Sequence, residues 1–192
     1  MHTEGSWSMT ESHGPALQVA LYVRDAVGLA YGVVPPLAPA VAGAADEPPT
    51  EDDVLAWRAW FTFLLAAEAT GVPDDPLGLL LAAGPTPRLG TAATERFEEA
   101  QAWCAARKAD HIENLRTQTH EQRVVVTRLV AEVEWGLGRR AAPFTLNLVT
   151  LSVAGWWSHR ARHDLLLLST ATRYDEPRLR AVLTPVVREL AR

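Results

Sequence analysis

The sequence predicts an α+β fold: a helical N-terminal two-thirds packed on a small three-stranded antiparallel meander, with a C-terminal helix. Three observations carry this. Apolar side chains recur at three- and four-residue steps as far as Leu115, the spacing of a helix face. From Val125 the period shortens to two: Val125, Thr127, Leu129, Ala131, Val133 and Trp135 alternate with Arg128, Val130, Glu132 and Glu134, a pattern rich in β-branched residues. Beyond Asp175 the helical spacing returns.

Residues 1–14 lack apolar periodicity and are expected to form a flexible tail; they also lack the basic start and apolar run of a signal peptide. Gly14-Pro15 opens a helix on Val19, Tyr22, Val23, Ala26, Val27 and Ala30, expected over 15–34. A Pro/Ala-rich linker follows over 35–49, because proline removes a backbone donor and clashes with the preceding turn. Residues 26–45 carry no charge, but Gly28, Gly32, Pro35, Pro36 and Pro39 interrupt them too often for a membrane span.

Residues 50–192 are read as the main domain. Thr50-Glu51-Asp52-Asp53 places a cap and acidic side chains at the positive end of a helix whose apolar face is Leu55, Trp57, Trp60, Phe61, Leu64 and Leu65. Gly71 and Pro73 stop it. A short apolar helix over 77–83 stands between two proline-rich breakers. From Thr91 one long helix runs through Phe97, Ala100, Trp103, Cys104, Arg107, His111 and Leu115.

Strands are then placed at 123–135, at 143–153 and from 165 to 174, with Gly136-Leu137-Gly138 as a turn and 155–164 as a loop. Asp175-Glu176-Pro177 caps the last helix, whose stripe is Leu179, Val182, Leu183, Val186, Val187 and Leu190.

Composition narrows the function classes. With 192 residues, 48% of them hydrophobic and 21% charged, the chain has the makings of one sizeable core, which excludes wholesale disorder. A single cysteine forbids an internal disulfide, so a reducing cytoplasm is the default expectation. Charge is divided: residues 1–100 carry 14 acidic against 4 basic side chains, and residues 101–192 carry 9 against 14. That split reads first as an acidic part docked on a basic one, and second as a basic surface for an anionic partner.

No nucleophile elbow, phosphate loop, dinucleotide glycine run, H-E-x-x-H or C-x-x-C is present, and no cofactor is expected. Cys104 reads as a buried structural thiol on the apolar side of its helix. The densest feature is the run from Gly155 to Asp164, where Trp156 and Trp157 stand beside His159, Arg160, Arg162 and His163. Stacking surface next to positive charge has the composition of a recognition element, so these six residues are the candidate binding site. Alternation along an extended chain would bury one tryptophan and leave the other partly in water.

The first reading is therefore a non-catalytic interaction or regulatory protein, with a homodimer among its expected forms, that holds a protein or anionic partner through this loop. The alternative is a small metal-assisted enzyme or small-ligand binder with a pocket between helices and sheet. In a helix His159 and His163 would share a face, with Asp164, His111, His120 or Cys104 completing a ligand set. Single-stranded nucleic-acid binding ranks third: Arg139, Arg140, Arg173, Arg178 and Arg180 would extend the loop into a basic patch, but a pI near 5.7 opposes it.

Overall fold

The computed structural model describes residues 7–29, 34–41, 48–68, 75–82 and 84–192. Helices and strands are mixed along the chain. Its elements run β1 (Ser8–Ser12), α1 (Pro15–Ala26), α2 (Glu51–Glu68), α3 (Pro76–Ala82), α4 (Pro87–Glu95), α5 (Phe97–Thr117), α6 (His120–Arg123), α7 (Val125–Leu137), β2 (Thr145–Leu151), β3 (Ser158–Arg162), β4 (Leu165–Ser169), α8 (Thr170–Arg173) and α9 (Glu176–Leu190). The chain divides into two compact units: one comprises Met1–Ser12, His111–Thr150 and Gly155–Arg192, the other His13–Asp110 and Leu151–Ala154.

The sheet differs from the expected three-stranded antiparallel meander. Among the described residues it has four strands in the order β1-β2-β4-β3, with β1 parallel to β2 and β3 antiparallel to β4. Residues expected as the first strand form the helix α7 instead. Val125, Val126, Leu129, Val130 and Val133 are its buried residues, whereas Trp135 is 90% exposed. A valine-rich run satisfies both periods, and burial of the i, i+4 pairs 126/130 and 125/129 decides for the helix against β propensity.

A further strand comes from the segment expected to be a flexible tail. Ser8–Ser12 pairs in register from Ser8 opposite Thr145 to Ser12 opposite Val149, and the Ser8 and Thr145 hydroxyls lie 3.0 Å apart. Polar cross-strand pairs of this kind leave no apolar signature in a sequence.

In this unit the core lies between the sheet and two helices. Leu146 and Leu148 of β2 and Leu166 and Leu168 of β4 meet the stripe of α7 and Leu179, Leu183, Val186 and Val187 of α9. Val149, Leu165 and Leu167 are buried too, so side chains on both faces of the central strands leave water, and Leu165–Ser169 is apolar without alternation. The strand expected to reach 174 stops at Ser169, whose hydroxyl accepts from the Thr172 amide and starts α8. Asp175 caps α9, accepting from the Arg178 amide.

The other unit is built from α1 to α4 and the greater part of α5. Helix α1 ends at Ala26, short of the expected 34: Gly28 turns left-handed at φ 71° and the Leu29 amide closes back on the Arg24 carbonyl at 2.9 Å. Residues 30–33 of that expectation lie outside the described residues, as do 42–47 of the expected linker and the stop at Gly71 and Pro73. The single helix expected from Thr91 is two. The Thr86 hydroxyl caps α4, which opens on Pro87, and Arg96 separates it from α5. No helix among the described residues is long and apolar enough to cross a membrane.

Candidate functional site

The run expected as a loop between two strands contains the strand β3. Gly155, at φ 70°, supplies the left-handed turn ahead of it, and His163 and Asp164 form the turn into β4. The hairpin pairs Ser158 with Leu168, His159 with Leu167, Arg160 with Leu166 and Arg162 with Leu165, leaving Ala161 as a bulge. Strand β3 is at the edge of the sheet, and its residues are exposed or half-buried.

The two adjacent tryptophans have different surroundings. Trp156 is 63% exposed, and the Arg178 guanidinium lies 3.5 Å from its ring centroid. The first turn of α9 places that cation: the Asp175 carboxylate accepts from the Arg178 amide with one oxygen, at 3.1 Å, and stands 3.6 Å from the Arg178 Nε with the other. Trp157 is half-buried. Its amide is shared between the Ser169 Oγ at 3.1 Å and the Thr172 Oγ1 at 3.0 Å, its carbonyl accepts from the Ser169 amide, and its ring stacks on His159 with a 6.1 Å centroid separation.

The arginines of the hairpin are already committed to carboxylates. Arg160 donates to both oxygens of Glu189, at 2.6 and 2.9 Å, and to the His163 carbonyl at 2.7 Å. The Glu189 hydrogen bonds hold the Arg160 guanidinium above its ordinary pKa, and the same contact draws the Glu189 carboxyl below its own. Arg162 reaches Asp164 at 3.1 Å. His163 is 74% exposed, with its Nδ1 3.5 Å from Asp164.

Of the other basic residues expected to extend the loop into a patch, Arg178 stands over Trp156. Arg173 is buried and grips Glu11 with two bonds of 2.7 and 2.8 Å, and Arg180 takes both oxygens of Glu132. Arg139 donates to the main-chain oxygen of Arg192, and Arg140 is exposed. Among the described residues no group of three or more His, Cys, Asp or Glu is arranged to hold a metal ion. His159 and His163 stand on a strand and in a turn, where i, i+4 spacing gives no shared helical face.

A second polar cluster was invisible in the sequence. Beside the buried Glu11–Arg173 pair, the Tyr174 hydroxyl lies 2.9 Å from the His111 Nδ1. Desolvation pushes Tyr174 up to about 12 and His111 below its ordinary value, so both stay neutral near pH 7. Glu11 and Arg173 are separated by 162 positions, and no local spacing announces such a pair. In the other unit Cys104 is buried, its thiol pushed up to about 12 by desolvation, which favours the protonated form at neutral pH.

What the hairpin offers chemically is surface: an exposed indole backed by a cation, a stacked Trp–His pair, an open strand edge and arginines neutralised by their own carboxylates. Compared with models of known protein families, with curated proteins and with solved structures, the chain matches none.

Proposed function

We propose that this chain is a non-catalytic interaction protein that holds a protein partner at the hairpin carrying Trp156. The observation behind the reading is a large ring kept mostly in water yet fixed by the Arg178 guanidinium at 3.5 Å. Tryptophan and arginine are the residues that dominate binding energy at interfaces, and a ring already held in place loses little entropy on contact. Internal pairing of Arg160 and Arg162 favours a protein surface over a phosphate backbone, because nucleic acid would have to displace Glu189 and Asp164.

The test places photoreactive p-benzoylphenylalanine at position 156 of the intact chain and, in parallel, at the even more exposed Trp135. A protein adduct formed at 156 and not at 135, competed by added wild-type chain but not by Trp156→Ala, supports the reading. Adducts that do not distinguish the two positions, or equal competition by both proteins, overturn it. An adduct of twice the chain mass identifies the partner as a second copy.

A further inference from the structure

A groove of about 510 Å³ runs between α7 and α9, apart from the hairpin just described. Its floor is apolar, from Leu129 and Val133, and Leu137 sits at 37% exposure along its side. Arg180 and Arg188 of α9, with Arg192 two residues beyond its end, line the opposite wall and face the Glu132 side chain on α7. Arg180 spends its charge on Glu132, with bonds of 2.7 and 2.9 Å. Arg188 and Arg192 make no ion pair among the described residues, although Arg192 is near enough to help lower the Glu189 carboxyl.

The groove exists because two lining positions are small or diverted. Gly136 stands where the next turn of α7 would otherwise project a side chain, and a Cβ built there meets nothing within 4 Å. Thr184 turns its hydroxyl back onto the Arg180 carbonyl at 2.6 Å, and Pro185 after it has no amide to donate within the helix. Apolar floor, two guanidinium groups outside any ion pair among the described residues and a volume within the roughly 300–1,000 Å³ typical of ligand pockets occur here together.

We infer that this groove binds a small amphiphilic anion: an apolar chain or ring against Leu129, Val133 and Leu137, with one anionic head, phosphate or carboxylate, held by Arg188 and Arg192. Guanidinium forks match both heads, since each presents paired oxygens. Neither a bare anion nor a neutral apolar molecule uses both halves of the groove.

The test is calorimetric titration of the full chain with n-octyl phosphate and, to compare heads, octanoate; inorganic phosphate and 1-octanol supply each half alone. Saturable one-to-one binding of an amphiphile is expected, at least tenfold tighter than either half. The Arg188→Ala/Arg192→Ala variant should lose at least tenfold in affinity. Gly136→Leu, which fills the groove from an open position, should abolish binding without lowering the thermal midpoint, while Arg140→Ala, outside the groove, should bind as wild type. No saturable binding to wild-type protein, affinity unchanged by Gly136→Leu, or inorganic phosphate as tight as octyl phosphate would each overturn the inference. So would a wild-type dimer that Gly136→Leu dissociates, since the groove would then be filled by another copy of the chain.

Discussion

Each unit of the molecule holds a tryptophan beneath an arginine, and the two pairs are stabilised in opposite ways. Trp57 is fully buried, donates its indole N–H to the Ala20 carbonyl at 2.7 Å and stacks on Phe61 with centroids 4.9 Å apart. Arg24 lies 5.7 Å from its ring and is itself 2% exposed, with bonds to Asp25, to the Val34 carbonyl and to the Pro35 carbonyl. Trp156 has the closer cation, Arg178 at 3.5 Å, but keeps most of its surface in water. Proximity of charge and ring is therefore a poor guide to energy. Removal from water and satisfaction of buried donors set the scale in the first pair, whereas the second contributes the ~0.5–1 kcal/mol of an exposed cation–π contact.

The largest break in this comparison is Trp57→Ala. It leaves a cavity next to Phe61 and removes the donor to Ala20, so about 3–5 kcal/mol of unfolding free energy should be lost, measured by urea unfolding followed by circular dichroism. A loss below ~1 kcal/mol would mean that burial is not what distinguishes the two rings.

Removing the buried cation comes next. Arg24→Met strands the Val34 and Pro35 carbonyls and takes the guanidinium from Asp25, for an expected cost of about 3 kcal/mol in the same unfolding measurement. The other unit has its own buried pair, and Glu11→Ala should cost a similar ~3 kcal/mol by leaving Arg173 unpaired, with side-chain exposures of 14% and 8% for the two partners. Neutral behaviour of Glu11→Ala would return Ser8–Ser12 to the status of a dispensable tail.

A smaller effect follows from His111, on which Tyr174 rests. Desolvation favours the neutral imidazole in the folded protein, with the Arg173 charge assisting and the Glu11 charge opposing. The unfolded chain, titrating near 6.5, therefore takes up the proton first. Stability from this group is complete above pH 6.5 and is lost as pH falls below it, toward the lower folded pKa. Chemical unfolding of wild type and His111→Asn between about pH 7.5 and 5 should show the steeper decline in wild type, and parallel curves would remove His111 from the account.

The legible parts of the fold were those in which apolar period and capping agree. Asp175 before Glu176-Pro177 is readable as a helix start because the cap, the proline and the stripe on Leu179 and Leu183 give one answer. In α7 they disagree, since Val124, Val125 and Val126 favour a strand locally while burial against β2, β4 and α9 imposes the helix. Strand β1 has no local signal at all: its support lies in Thr145, Asn147 and Arg173, 137 to 162 positions away. In the hairpin, composition marked out Trp156 to His163, but it could not show that Glu189 neutralises Arg160 from α9. The α7–α9 groove depends on Gly136, which reads locally as part of a turn and proves to be a helical position facing open space.

The smallest expected effect on stability is also the sharpest test of the comparison. Trp156→Ala removes a ring that fills no cavity, and Arg178→Ala removes a cation whose carboxylate contact, Asp175 at 3.6 Å, is long and solvated. Each substitution should lower stability by about 0.5–1 kcal/mol, the size of the exposed cation–π contact, and the double variant should lose less than the sum of the singles because both remove that same contact. Trp157→Ala is the control one residue on: its ring is half-buried against His159, so its loss should exceed that of Trp156→Ala even though its backbone bonds to Ser169 and Thr172 remain. Equal losses at 156 and 157 would show that the hairpin is held by both rings alike. A large loss at 156 alone would move this indole into the class of Trp57, and with it would go the argument that the ring is kept in water for a partner.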